Sequence, residues 1–211
     1  MSSPEATMKV RDWLVNAEGQ CEARPSAREW GLIRDRYYFH EFLTEIVHLL
    51  GNASSEAEEW DYLPQIRTLV RKLITNSYWV QTQYREPDPK VGSSVLVLYD
   101  EIGYPLSVQN VVFLPGFVSS IHNHGTWAVV AVFKGQEKHT FWKRNPDNPH
   151  QIEQVSEKIL NPGEILSFTP DAIHQVEAIG SEPALTFHIY GDTQPRSRFE
   201  FDLVRQAAKP F

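Results

Sequence analysis

Apolar positions recur at steps of three, four or seven through the first third of the chain. Between Arg28 and Leu50 they fall at Leu32, Phe39, Leu43, Ile46 and Leu50, and between Asp61 and Ile74 at Leu63, Ile66, Leu69, Val70 and Leu73. This spacing stacks apolar side chains on one face of an α-helix, so two amphipathic helices are expected. Gly51-Asn52-Ala53-Ser54-Ser55 supplies a stop and a restart, with Gly or Asn ending one helix and Ser capping the next. Near residue 80 the period changes. Beyond Pro87-Asp88-Pro89 the runs are short and rich in β-formers: Ser94–Asp100, Leu106–Leu114, Trp127–Phe133, Lys138–Lys143, Glu164–Thr169, His174–Ala178, Ala184–Tyr190 and Arg198–Val204. Turn residues separate most of them. Eight or so strands at this spacing predict an all-β sandwich or barrel, and a double-sheet jelly roll leaves room for a ligand between its sheets. The expectation is an all-β jelly-roll barrel over residues 81–211, preceded by an α-helical extension over residues 1–80. Two uses are open for those helices, closing one end of the barrel or pairing with another copy. There is no internal repeat and no low-complexity stretch.

The 211 residues suffice for one well-buried core with an appended piece. Twenty basic against twenty-seven acidic residues give a net charge of −7 with no basic block, which argues against a nucleic-acid groove or an anionic membrane surface. No apolar run approaches the roughly 18–20 residues that span a bilayer. The chain reads as soluble and cytoplasmic, with a small molecule as partner and an open oligomeric state. Cys21 is the single cysteine, which excludes an internal disulfide framework and any thiolate cluster. A metal would have to be held by His, Asp or Glu.

The stretch from Gly116 to Gly135 sharpens that point. It contains His122 and His124 two residues apart in a β-rich context. Alternate residues of a strand project to the same face, so the two imidazoles are placed to share one ion. Gly116, His122, His124 and Gly135 match in type and spacing the first signature of the cupin family, whose glutamate slot is here Ala128. The second cupin pattern sets a histidine eleven residues after a glycine. Gly163 and His174 keep that interval, although Pro170 falls one residue late. The chain therefore resembles a cupin, and the resemblance implies His122, His124 and His174 as metal ligands with no carboxylate among them. The common iron facial triad uses two histidines and a carboxylate. Three neutral imidazoles would leave the ion its full double charge, which favours an anionic ligand such as a thiolate.

Cupins with three histidines include the thiol dioxygenases, of the cysteine dioxygenase and 3-mercaptopropionate dioxygenase type, and Ser119-Ser120-Ile121-His122-Asn123-His124 is similar to their metal motif. Their Ser-x-His-x-Tyr strand is echoed by Thr186-Phe187-His188-Ile189-Tyr190. The resemblance implies an iron(II) enzyme that converts a small thiol and O2 to a sulfinate, with Thr186 holding His188, His188 orienting Tyr190, and Tyr190 donating a hydrogen bond at the site. Nickel, copper or zinc would also suit three nitrogen ligands. Animal-type cysteine dioxygenases carry an arginine on the first strand and a cysteine five residues after the second histidine, where this chain has Leu96 and Val129. Trp127 and Arg85-Glu86-Pro87-Asp88-Pro89 look more like the mercaptopropionate branch. There the substrate carboxylate is bound by an arginine beyond the tyrosine, for which Arg198 is the first candidate and Arg196 the second, with Trp127 as a pocket wall. A cupin dioxygenase acting on a β-diketone and a non-catalytic ligand-binding cupin are the alternatives. His40, His48, His139 and His150 show no ligand spacing and are read as ordinary histidines.

Overall fold

Two β-sheets face one another across an apolar interior in the computed structural model, which describes residues 11–52, 59–193 and 196–210. The elements run β1 (Asp12–Val15), β2 (Cys21–Arg24), α1 (Glu29–Leu32), α2 (Phe39–Gly51), a 3-10 turn (Glu59–Tyr62), α3 (Leu63–Asn76) and α4 (Tyr78–Thr82). Then follow β3 (Ser93–Asp100), β4 (Leu106–Phe113), β5 (Ile121–Asn123), β6 (Ala128–Lys134), β7 (Gln136–Arg144) and β8 (Ile152–Leu160). The chain ends with β9 (Ile165–Phe168), β10 (Ile173–Ile179), β11 (Ala184–Gly191), β12 (Phe199–Asp202) and β13 (Ala207–Pro210). One sheet has the order β2-β1-β9-β6-β11-β4-β3 and the other β13-β12-β5-β10-β7-β8. Every pairing is antiparallel except β1 with β9.

Strand alternation decides what each face does. On β6, Ala128, Val130 and Val132 turn inward and meet Phe141 of β7, Leu160 of β8 and Leu166 and Phe168 of β9, which closes the space between the sheets. The intervening Val129 and Ala131, with Leu106, Val108, Phe187 and Ile189, face outward. They are covered by Phe42 and Ile46 of α2 and Ile66, Val70 and Leu73 of α3. The helices thus cap a sheet face, not a barrel end. A strand buried on both faces reads as a continuous apolar run, which accounts for Ala-Val-Val-Ala-Val in β6.

The first eighty residues are not helical throughout. β1 and β2 extend the seven-stranded sheet, with Asp12 opposite Ile165 and Val15 opposite Phe168. Asp12–Val15 and Cys21–Arg24 each offer only four positions, too few here to establish a period. The predicted Arg28–Leu50 helix is broken into α1 and α2, and α2 ends at Gly51 with Asn52 as its C-cap. The expected restart at Ser54 lies outside the described residues. No helix among the described residues is long and apolar enough to cross a membrane.

Two buried arginines fasten α3 to the sheet. Arg71 pairs with Asp12, both about 2% exposed, and donates to the carbonyls of Gly163 at 3.1 Å and Arg11 at 3.3 Å. Arg67 donates to Ser167 Oγ at 3.0 Å, and that hydroxyl donates to the Trp13 carbonyl at 2.8 Å. At the turn where the chain leaves one sheet for the other, Gly135 has φ +68°, and a Cβ there would sit 2.6 Å from the Pro183 carbonyl oxygen. Only glycine fits that corner.

Candidate metal centre

β5 is three residues long and lies between β10 and β12, with His122 opposite His174 on one side and Glu200 on the other. Cross-strand pairing therefore brings His174 against His122, and His124 follows as the chain leaves the strand. The ring centroids stand 4.6 Å apart for His122 and His174, 4.8 Å for His124 and His174, and 5.3 Å for His122 and His124. One ring nitrogen from each lies within 4.8 Å of the others. Nε2 of His174 and Nε2 of His124 are 3.1 Å apart. Two nitrogens each about 2.1 Å from one ion, in neighbouring positions, would be roughly 3 Å from one another. The donor set fits a divalent transition metal.

Protonation favours the same use. Burial, reinforced by the neighbouring rings, holds His124 and His174 well below the usual imidazole range, and burial also lowers His122. Three neutral rings with free lone pairs are what a metal requires. His122 faces the Ser120 carbonyl through Nδ1 at 3.0 Å, which orients its ring. Ala128, four residues after His124, is fully buried and apolar, and no carboxylate joins the group among the described residues. Phe168 closes the floor, its ring 4.5 Å from His174 and 5.3 Å from His124.

From the opposite sheet, β11 presents Thr186, His188 and Tyr190 on its inward face, as the two-residue period predicts. Thr186 Oγ1 and His188 Nε2 are 2.8 Å apart, and His188 Nδ1 and the Tyr190 phenol are 2.8 Å apart. The Tyr190 ring lies 5.1 Å from that of His124. Burial lowers His188 to about 4 and pushes the Tyr190 phenol up, so both are neutral near pH 7.

The remaining predicted residues separate. Arg198 is partly buried, and its charge is felt at His122, His124 and Tyr190. Arg196 is exposed in the preceding turn. Asn123, fully buried between the two histidines, donates to the Ser197 carbonyl at 2.7 Å and accepts from the Phe199 amide at 2.7 Å, so it grips the backbone on both sides of Arg198. Trp127 is fully buried among the residues facing α2 and α3, not with the imidazoles. Its position just before β6 puts it in the outward row with Val129. His139, which the sequence places among the ordinary histidines, stands beside the centre. It lies buried on β7 with Nδ1 3.3 Å from Nδ1 of His174 and Nε2 3.0 Å from the carboxylate of Glu137, itself fully buried. Alternation of Glu137, His139 and Phe141 along one strand was the available signal.

No family model matches the chain. Structural neighbours are cupin and double-stranded β-helix proteins. An uncharacterised protein with a double-stranded β-helix domain from Klebsiella pneumoniae is 16% identical with a TM-score of 0.44, over 56% of this chain and 85% of that one. An oxalate oxidase in complex with glycolate is 17% identical with a TM-score of 0.42, over 54% of this chain. The match spans 58% of that oxidase's length. A cupin domain of an XRE-family transcriptional regulator from Enterobacter cloacae is 16% identical with a TM-score of 0.37, over 49% of this chain and 99% of that one.

Proposed function

We propose that the protein is an iron(II)-dependent thiol dioxygenase, in which His122, His124 and His174 hold the metal and a small thiol is converted to its sulfinate. The observation that carries this reading is the hydrogen-bonded line Thr186, His188, Tyr190, directed from one sheet at three uncharged imidazoles on the other. Iron(II), when bound, supplies the redox chemistry and the open positions at which thiolate and O2 are brought together. The balance is simple: a thiolate and one O2 give a sulfinate, with both oxygen atoms ending on sulfur.

The chain's own part is orientation and charge. With the Thr186 hydroxyl donating to Nε2 of His188, Nδ1–H of that ring donates to the Tyr190 oxygen, and the phenolic O–H is left to donate toward the centre. A preorganised donor of this kind stabilises negative charge that develops on oxygen. Arg198 would pair with a carboxylate on the substrate, because a desolvated carboxylate needs a cation or several donors. Phe168 and the apolar interior exclude water from the same space.

Anaerobic reconstitution with iron(II), followed by oxygen uptake and product analysis with cysteine, 3-mercaptopropionate, cysteamine and a β-diketone, tests the reading. A sulfinate formed with one O2 consumed per thiol supports it. Turnover of the diketone alone would replace it by enolate chemistry, and no uptake with any of them would leave a binding protein.

A further inference from the structure

We propose that Glu137 and His139 are positioning residues that fix the tautomer of His174, turning its Nε2 lone pair toward His122 and His124. The inference rests on the metal-centre reading above and adds to it a buried carboxylate that the three-histidine description leaves out. Glu137 is 0% exposed and His139 1% exposed, so neither is a solvated surface group. A carboxylate accepts and does not donate. Its 3.0 Å contact with His139 therefore requires the proton on Nε2 of that ring. In the tautomer proposed here that single proton leaves Nδ1 of His139 bare, as the acceptor across the 3.3 Å to Nδ1 of His174. The proton of His174 is thereby held on Nδ1 and its Nε2 is bare, 3.1 Å from Nε2 of His124.

Without an acceptor at residue 139, nothing would keep that proton on Nδ1. His174 could then carry it on Nε2 and present an N–H where a lone pair is needed. His122 receives the same instruction from the Ser120 carbonyl. His124 has no such partner, since its Nδ1 is buried without one among the described residues. Two of the three rings are thus set in advance. Outer partners of this kind typically change metal affinity 10- to 100-fold.

The test uses the full-length protein with 15N-labelled histidine, stripped of metal by chelation. Long-range proton–nitrogen correlation spectra, with His174 assigned by the signals missing from His174→Ala, read the tautomer directly. Cobalt(II) titration followed by visible absorption reads affinity. We expect His174 protonated on Nδ1 in the wild type. His139→Phe should move it to Nε2 and weaken cobalt(II) binding 10- to 100-fold. His139→Asn, which keeps an acceptor near Nδ1, should recover most of that loss, and Glu137→Gln should show a smaller one. Nε2–H on His174 in the wild type would overturn the proposal whether or not the variants fold. So would a folded His139→Phe protein with unchanged tautomer and affinity. Failure of the wild type to bind cobalt(II) would instead sink the metal-centre reading, while the tautomer measurement still decides this one.

Discussion

At Tyr190 a single oxygen atom separates two uses of the same ring. Its aromatic body packs beside His124, and its hydroxyl meets His188. Tyr190→Phe keeps the first and deletes the second. If the hydroxyl stabilises developing charge, turnover should fall about 100-fold, the usual consequence of removing one preorganised donor, with cobalt(II) affinity unchanged. Oxygen uptake and metal titration on the same sample check both halves, and unaltered turnover would reduce the relay to packing. His188 makes a separate prediction about stability. The unfolded imidazole takes up a proton near pH 6.5, whereas the folded ring refuses it until about 4. Between those values the unfolded state binds more protons, so stability of the metal-stripped protein falls as pH falls, by roughly 3 kcal/mol from this residue alone. His124 and His174 shift in the same direction. Urea unfolding at pH 7 and pH 4.5 measures the loss, and His188→Gln should reduce it.

The site depends on one very short element. β5 has three residues, yet it pairs on both sides and its middle residue is one of the three clustered imidazoles. Asn123 at its end ties the strand to the backbone around Arg198, so Asn123→Ala should loosen the arginine without disturbing the imidazoles. The expected result is a KM for a carboxylate-bearing thiol raised about tenfold with kcat little changed, the signature of lost ground-state binding. Cysteamine, which has no carboxylate, should show no such change. Elements like this mark the limit of what the sequence reveals. β6, β10 and β11 were legible because long runs of alternating or continuous apolar residues carry a period, and β11 displayed Thr186, His188 and Tyr190 at that period. β1, β2, β5 and β13 have three or four residues each and carry none, and nine-residue β8, largely exposed and polar, was not predicted because it shows no apolar alternation. His139 escaped because alternation with Glu137 and Phe141 gives it a face but not a neighbour, and His174 comes beside it only when β10 pairs with β7. Arg198 could be ranked ahead of Arg196 but not assigned, since which of them is drawn inward depends on where β12 starts.

The whole molecule rests on a tie between its helical and β parts. Arg71 holds α3 to β1 and to the turn before β9, Arg67 holds it to β9 itself, and β9 carries Phe168 onto the rings of His124 and His174. Asp12→Ala would leave Arg71 buried with only the exposed Glu29 carboxylate, 4.0 Å away, as counter-charge, and breaking a buried pair in this way typically costs about 3–5 kcal/mol. Replacing both together, as Asp12→Leu with Arg71→Met, should cost less, because Arg71 no longer leaves a charge behind and only Arg67 loses the field of Asp12. Thermal unfolding of the three proteins distinguishes an ion pair that stabilises from one that merely must not be broken. Metal gives the complementary lever. An ion that binds only the folded chain adds about 2.7 kcal/mol at a hundredfold excess over Kd, so cobalt(II) should raise the melting temperature of the stripped wild type and restore most of the Asp12→Ala deficit. His174→Ala should respond weakly, because one of the three nitrogens is gone. A wild-type melting temperature indifferent to cobalt(II), nickel(II) and iron(II) alike would mean that the three rings pack against one another as buried polar groups, and the dioxygenase reading would fall with them.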